Sequence, residues 1–344
     1  MIKVFKTGRH AHRTPLSYPD LAPLFADCIQ LVDTPAEADL YMFAHSMDFE
    51  TAPRALIEDW RQRRRPVAIL SEEPFWDTIW GQRPLQRQIR QETPFGALPV
   101  FQLNHFTTEI YHFEHIPYYL LTEHRFAQVY APLFQRNAQL RASEWRAVFA
   151  NCPSDLTFMF ERRPERYHNV EWAEADLIGL CAWRTDLAEA CTWPGVARLG
   201  QSWQGGQTRF ELDDWHGDKL RQLDQNTRQM GALENTHHPD YITEKIFDAF
   251  AIGAQPVYFA SAAHRIHSMG LPTESWVNLH GQTPDEAAET LNATTQDDTF
   301  IDALHDAQSA LANLFGDPSF AVIERTRLRS AVLKTLEEVL DSHP

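Results

Sequence analysis

The sequence predicts an α/β protein of two domains, each built on a mostly parallel sheet. Three observations carry this. Short apolar runs of strand length alternate with helical patterns in the first half of the chain. The alternation restarts after residue 150. At 344 residues the chain exceeds one ordinary core and suits two. Strands interleaved with helices form parallel sheets because the crossover helices pack back on the sheet faces.

Residues 2–5, 29–32, 40–43 and 67–70 are apolar runs that read as strands. Residues 52–65 read as a helix with Pro53 in its first turn, where a missing N–H costs nothing. Leu56, Ile57 and Trp60 would face inward; Arg61, Arg63, Arg64 and Arg65 would complement the helix dipole in solvent. Residues 123–150 read as helical, broken near Pro132. In the second half, 156–160 and 196–199 read as strands, with a helix over 170–192 between them. The stretch from Trp203 to Asp218, with Gly205, Gly206, Asp213 and Asp214, reads as a loop. Residues 257–259 and 276–279 are strand-like, and helices over 297–315 and 319–341 close the chain. The expected domains are therefore 1–150 and 151–318, with 319–344 as a terminal helix.

Composition excludes several classes. An apolar content of 43% with 14 glycines and 21 prolines is that of a folded globular protein. A net charge of −16 opposes nucleic-acid binding and docking on anionic membranes. No window holds the roughly 18–20 apolar residues of a membrane span. The opening Met1 to Lys6 has no signal-peptide core, so a cytoplasmic location is expected, with peripheral membrane association left open. Cys28, Cys152, Cys181 and Cys191 form no C-x-x-C pair and read as packing thiols.

The most informative segment runs from Glu234 to Lys245 and leads into the helical pattern of residues 246–253. A polar loop opening a helix, with a strand close behind, lies where α/β sheets bind ligands. The helix N-terminus offers unpaired N–H groups and partial positive charge to a phosphate, and Lys245 adds a full charge. Asn235 and Asp240 also suit turn and N-cap positions.

The wording E-N-x(5)-Y-I-T-E-K-I-F-D-A over residues 230–260 resembles the donor-binding signature of the α-1,3/1,4-fucosyltransferases, glycosyltransferase family 10. Leu233, Ile252 and Ala260 depart from that pattern without removing a polar group. The resemblance implies a GT-B-like fold: two Rossmann-like domains facing across a cleft. The first domain would bind the acceptor and the second the GDP-sugar, with the terminal helix packing back across the joint. It also implies an inverting transfer of L-fucose from GDP-β-L-fucose to a glycan hydroxyl, without cofactor or essential metal, in the manner of soluble bacterial members.

Inverting transfer needs a base for the acceptor hydroxyl and positive groups for the departing diphosphate. Lys245 is the first candidate for the diphosphate and Arg184 the second; the alternative for Arg184 is a surface residue paired to Asp186 or Glu189. The resemblance implies that Asn235 and Tyr241 hold the sugar or diphosphate and that Glu244 accepts from ribose hydroxyls. The run 67–70 ends in Ser71, Glu72 and Glu73, placing two carboxylates at the carboxyl end of a strand. By family position Glu72 is the expected base and Glu73 the reserve, since neighbours on an extended chain point opposite ways. Trp76 and Trp80 suit an acceptor platform or plain packing.

The histidines His112, His115, His124, His237 and His238 lack the H-E-x-x-H pattern, so no metal site is expected among them. Asp213 and Asp214 suggest a metal–diphosphate site that the resembled family does not use. Two other readings stay open: transfer from another GDP-sugar such as GDP-mannose, or a nucleotide-sugar-binding protein without turnover.

Overall fold

The computed structural model describes residues 1–80, 83–203 and 214–342. Of the positions named above, Gly205, Gly206, Asp213 and the side chain of Trp80 lie outside the described residues. The chain forms two units, Met1–His124 with Ser319–Pro344, and Arg125–Pro318.

In the first unit, the runs Leu40–Phe43 (β3) and Val67–Leu70 (β4) are buried at every position. Continuous rather than alternating burial marks strands covered on both faces, as in parallel sheets. They pair with Ile2–Lys6 (β1), Ile29–Leu31 (β2), Gln88–Gln91 (β5) and Leu98–Leu103 (β6) in the order β2-β1-β3-β4-β6-β5. Every pair is parallel except β5–β6. From β1 the chain passes to β2 on one side and then to β3 on the other. That reversal opens a crevice at the carboxyl ends of β1 and β3.

Helices Arg54–Arg63 (α1), Pro74–Trp80 (α2) and Tyr118–Leu121 (α3) accompany this sheet. Pro53 is the N-cap of α1 rather than a residue of its first turn.

The second unit repeats the plan. Ser154–Met159 (β7), Val196–Leu199 (β10), Thr227–Gly231 (β11), Gln255–Tyr258 (β13) and Val277–Asn278 (β14) form an all-parallel sheet in the order β10-β7-β11-β13-β14. Glu171–Trp172 (β8), Leu177–Gly179 (β9) and Thr236–His237 (β12) make a small antiparallel sheet. The helices are Arg125–Ala138 (α4), Ala142–Asn151 (α5), Cys181–Ala190 (α6), Trp215–Leu223 (α7), Glu244–Ala251 (α8), Pro284–Ala293 (α9) and Asp298–Gly316 (α10). Both sheets thus share a doubly wound 2-1-3-4 order, the flavodoxin-like variant of the Rossmann-type plan.

Three expectations change. Pro132 sits inside α4, and the helical stretch breaks at 139–141 instead. Residues 125–150, expected with the first domain, belong to the second unit. The helix expected over 170–192 is two short strands followed by α6. Gly179 explains part of this: a Cβ there would sit 2.2 Å from the His168 carbonyl oxygen, so the chain passes too close for a helix of ordinary residues.

The last helix, Pro318–Asp341 (α11), joins the first unit from Ser319 onward. Its buried Glu324 accepts the Glu114 N–H at 2.7 Å and those of His115 and Ile116, while Arg327 Nε holds the second oxygen at 2.9 Å. A carboxylate in a cluster of backbone N–H groups is a strong, charge-assisted anchor. Among the described residues, no helix is long and apolar enough to cross a membrane.

Candidate active site

After β11 the chain enters the loop of Glu234 to Thr243 and then α8. Thr243 is the N-cap of α8, so Asp240 is not the cap. The Thr243 hydroxyl does not cap the helix in the usual way; it and the Thr243 N–H both donate to Glu234, at 2.9 and 2.8 Å. Lys245 Nζ donates to Glu234 Oε2 and to Thr243 Oγ1, each at 2.8 Å, and lies 3.5 Å from Glu244 Oε1. Glu234 therefore locks the two ends of the loop together. The sequence alone assigns Glu234 no role, although it opens the motif.

Burial disfavours the Lys245 ammonium, but Glu234 and then Glu244 outweigh it and hold its pKa above the ordinary lysine value. Burial pushes the Glu234 pKa up against the pull of Lys245. For Glu244 burial is opposed by Lys245, and the net shift is downward.

Arg184, on α6, is 3% exposed. Its Nη1 donates to the Leu233 carbonyl at 3.0 Å, its guanidinium lies 4.6 Å from the Phe160 ring centroid, and its buried Nε has no hydrogen-bond partner. Asp186 pairs with Arg166 and Glu189 with Arg162, so the surface-pair alternative fails. No carboxylate among the described residues forms an ion pair with Arg184. Its charge nonetheless reaches Lys245, whose pKa it pulls down. The first turn of α6 is stitched to the same loop: Leu180 N–H donates to the Asn235 carbonyl at 2.9 Å, and Cys181 Sγ lies 3.8 Å from Asn235 Oδ1. Tyr241 is buried at 2% exposure, its N–H donating to the His238 carbonyl. Arg184, Glu234, Asn235, Glu244 and Lys245 thus gather at the carboxyl end of β11.

Glu72 and Glu73 follow β4 in the first unit. With His10, Arg13, Ala44, His45 and Ser71 they line a pocket at the carboxyl ends of β1, β3 and β4. Glu72 is 3% exposed. Its Oε1 accepts from Tyr18 Oη at 2.7 Å and Arg13 Nε at 3.1 Å, and its Oε2 from Tyr118 Oη at 3.0 Å. Burial raises its pKa to about 7 against the opposing pull of Arg13 and the Tyr18 bond. Arg13 also binds Glu73 at 2.7 Å, so one guanidinium spans both carboxylates. Asp77, buried one turn into α2, is likewise pushed up to about 7 by burial. His10 Nδ1 lies 2.8 Å from Asp48 and stacks on His45, whose pKa burial lowers to about 4. Trp76 stands edge-on to Phe75.

The other histidines scatter: His112 pairs with Glu109, His124 with Asp20, and His115 packs on Phe320.

Comparison with curated proteins finds none that matches. Among solved structures, an α1,3-fucosyltransferase is similar at 13% identity, covering 99% of this chain and 90% of that one, with a TM-score of 0.45. An α1,3-fucosyltransferase with GDP-fucose gives 13%, 92% and 81%, with a TM-score of 0.43. Anabaena Alr3699/HepE in complex with UDP gives 10%, 98% and 100%, with a TM-score of 0.41. Residues 204–308 match the model described as the C-terminal part of glycosyltransferase family 10 (fucosyltransferase), a span that holds β11, the Glu234-to-Lys245 loop and α8. This segment is thus similar to the C-terminal part of glycosyltransferase family 10, the fucosyltransferases.

Proposed function

We propose that the protein moves L-fucose from GDP-β-L-fucose to a glycan hydroxyl, with inversion and an α-1,3/1,4-type linkage. The observation that carries the donor half is Arg184. A guanidinium buried to 3% exposure, with an unpaired Nε–H and no carboxylate pair among the described residues, is costly unless an anion arrives. It sits beside Lys245 at the N-terminus of α8, where a departing diphosphate would meet two cations and backbone N–H groups. These cations take the place of an essential metal. Asn235 and Tyr241 hold the donor, and Glu244 accepts from its ribose. Glu72 serves as general base: a carboxyl with a pKa of about 7 is matched to taking a proton near neutral pH. Glu73 is the reserve, held by the same arginine. The four free cysteines suit a reducing cytoplasm.

Calorimetric titration with GDP, GDP-fucose, GDP-mannose and UDP, in chelator, tests the donor half. Selective binding of GDP and GDP-fucose is expected. Preference for GDP-mannose would replace the sugar, and indifference to guanine nucleotides would overturn the reading.

A further inference from the structure

One cluster in the second unit is used by none of this chemistry. His237 lies in β12, two residues after Asn235, and its side chain is fully buried. Neither of its ring nitrogens makes a well-formed hydrogen bond among the described residues. An imidazole buried without a well-formed hydrogen bond costs free energy that folding must offset elsewhere. Its Nε2 lies 3.3 Å from Asp176 Oδ1, in the turn between β8 and β9. His280, exposed just beyond β14, brings a third donor atom, and the three atoms lie within 4.8 Å of one another.

We propose that Asp176, His237 and His280 bind a divalent transition-metal ion of the zinc class. Two imidazoles and one carboxylate suit zinc, cobalt or nickel rather than magnesium or calcium, which prefer all-oxygen ligand sets. The 3.3 Å separation fits adjacent corners of a zinc tetrahedron, whose ligand atoms stand about 3.3 Å apart when bonds are about 2.05 Å. The supporting shell is present too. Ser261 Oγ donates to Asp176 Oδ2, which fixes the carboxylate and leaves Oδ1 towards His237. Three donors leave at least one coordination position for water.

The three ligands come from separate segments: the small antiparallel sheet, the donor loop, and the end of β14. An ion there would clip the loop to the main sheet. Its role is to hold the donor loop in place, and the diphosphate chemistry proposed above does not pass through it.

The test uses the full chain, stripped with chelator and titrated with Zn²⁺ against a chromophoric competitor, and with Co²⁺ as a spectroscopic probe. One ion per chain is expected, with a visible Co²⁺ spectrum of nitrogen and oxygen ligation and a rise in Tm on Zn²⁺ addition. His280→Ala removes an exposed side chain, and Asp176→Asn keeps the Ser261 contact. Each should weaken Zn²⁺ binding by more than about tenfold, the loss seen even for outer-shell partners. His112→Ala with His115→Ala should leave it unchanged. The absence of saturable Zn²⁺ and Co²⁺ binding by the unmodified chain would overturn the proposal. So would affinity untouched by both His280→Ala and Asp176→Asn in variants whose circular dichroism is native. Binding of GDP-fucose in chelator is read separately, so either proposal can fail without the other.

Discussion

Glu72 must be ionised to take a proton, yet its burial favours the protonated form. The two demands give opposite pH trends. Its folded pKa of about 7 lies above the unfolded value near 4.3, so the folded state binds more protons between them. The stability contribution is full below about 4.3 and is lost as pH rises through 7, by about 4 kcal/mol. Asp77 acts in the same direction. Transfer should run the other way, with kcat/KM climbing through a pH of about 7. Glu72→Gln should lower kcat by ~100-fold or more and erase that rising limb; a full-activity variant with an unchanged profile removes Glu72 as base. Lys245 carries a second prediction. Lys245→Ala should lose about 1.5–3 kcal/mol of GDP affinity. It should also lose about 3–5 kcal/mol of stability, because Glu234 is then buried without its cation. Adding Glu234→Gln should restore most of the stability in urea titrations and none of the affinity. Both carboxylates at β4 and the lysine were legible because each sits in a local motif. Arg13, Tyr18 and Tyr118 were not, since they reach Glu72 across 59, 54 and 46 residues.

At the scale of elements, α8 has only eight residues and is tied at every level. Its first turn is held by Glu234, as described. In its middle, the fully buried Asp248 accepts from Tyr130 Oη at 2.6 Å and Lys219 Nζ at 2.8 Å, and lies 2.7 Å from His216 Nε2. Burial opposes that charge, but Lys219 and His216 prevail and hold the Asp248 pKa at about 2. Its last carbonyls accept from Asn137 and Gln308, the latter at 2.8 Å. Gly253 then closes the helix with a φ of 74°, the left-handed conformation that favours glycine there. Asp248→Ala should therefore cost about 3–5 kcal/mol, because Lys219 is left buried and unpaired. A thermal melt that hardly moves would show that the network is not holding α4, α7 and α8. The expected helix over 170–192 failed at this same scale. The β9 strand pairs with β8 on one side and with Thr236 and His237 on the other, and that second partner lies about sixty residues downstream.

At the scale of the whole molecule, each unit is built on one doubly wound sheet, and the first unit is assembled from both ends of the chain. Glu324 and Arg329 of α11 bind Glu114 to Ile116 and Asp27. Ending the chain after Pro318 should thus destabilise the first unit while the second still binds GDP. Two-step calorimetric unfolding, with only the second unit's transition raised by GDP, is the measurement. Loss of GDP binding on truncation would contradict it. The −16 charge belongs to this scale as well: it disfavours polyanions overall, so in the proposed reaction the anionic donor must rely on the local cations Arg184 and Lys245.

The sequence by itself determined the α/β class, β1 to β4, the paired carboxylates after β4, and the loop from Glu234 to Lys245 that opens a helix. Each is written in contiguous residues whose periodicity, charge or spacing has a local physical meaning. Only the tertiary structure decided that Arg184 is buried with no carboxylate pair among the described residues, that Glu234 locks the loop, and that one arginine spans Glu72 and Glu73. It alone brought Asp176, His237 and His280 together. Burial and long-range pairing arise when distant segments pack, and they set charge and pKa in ways that no local pattern encodes.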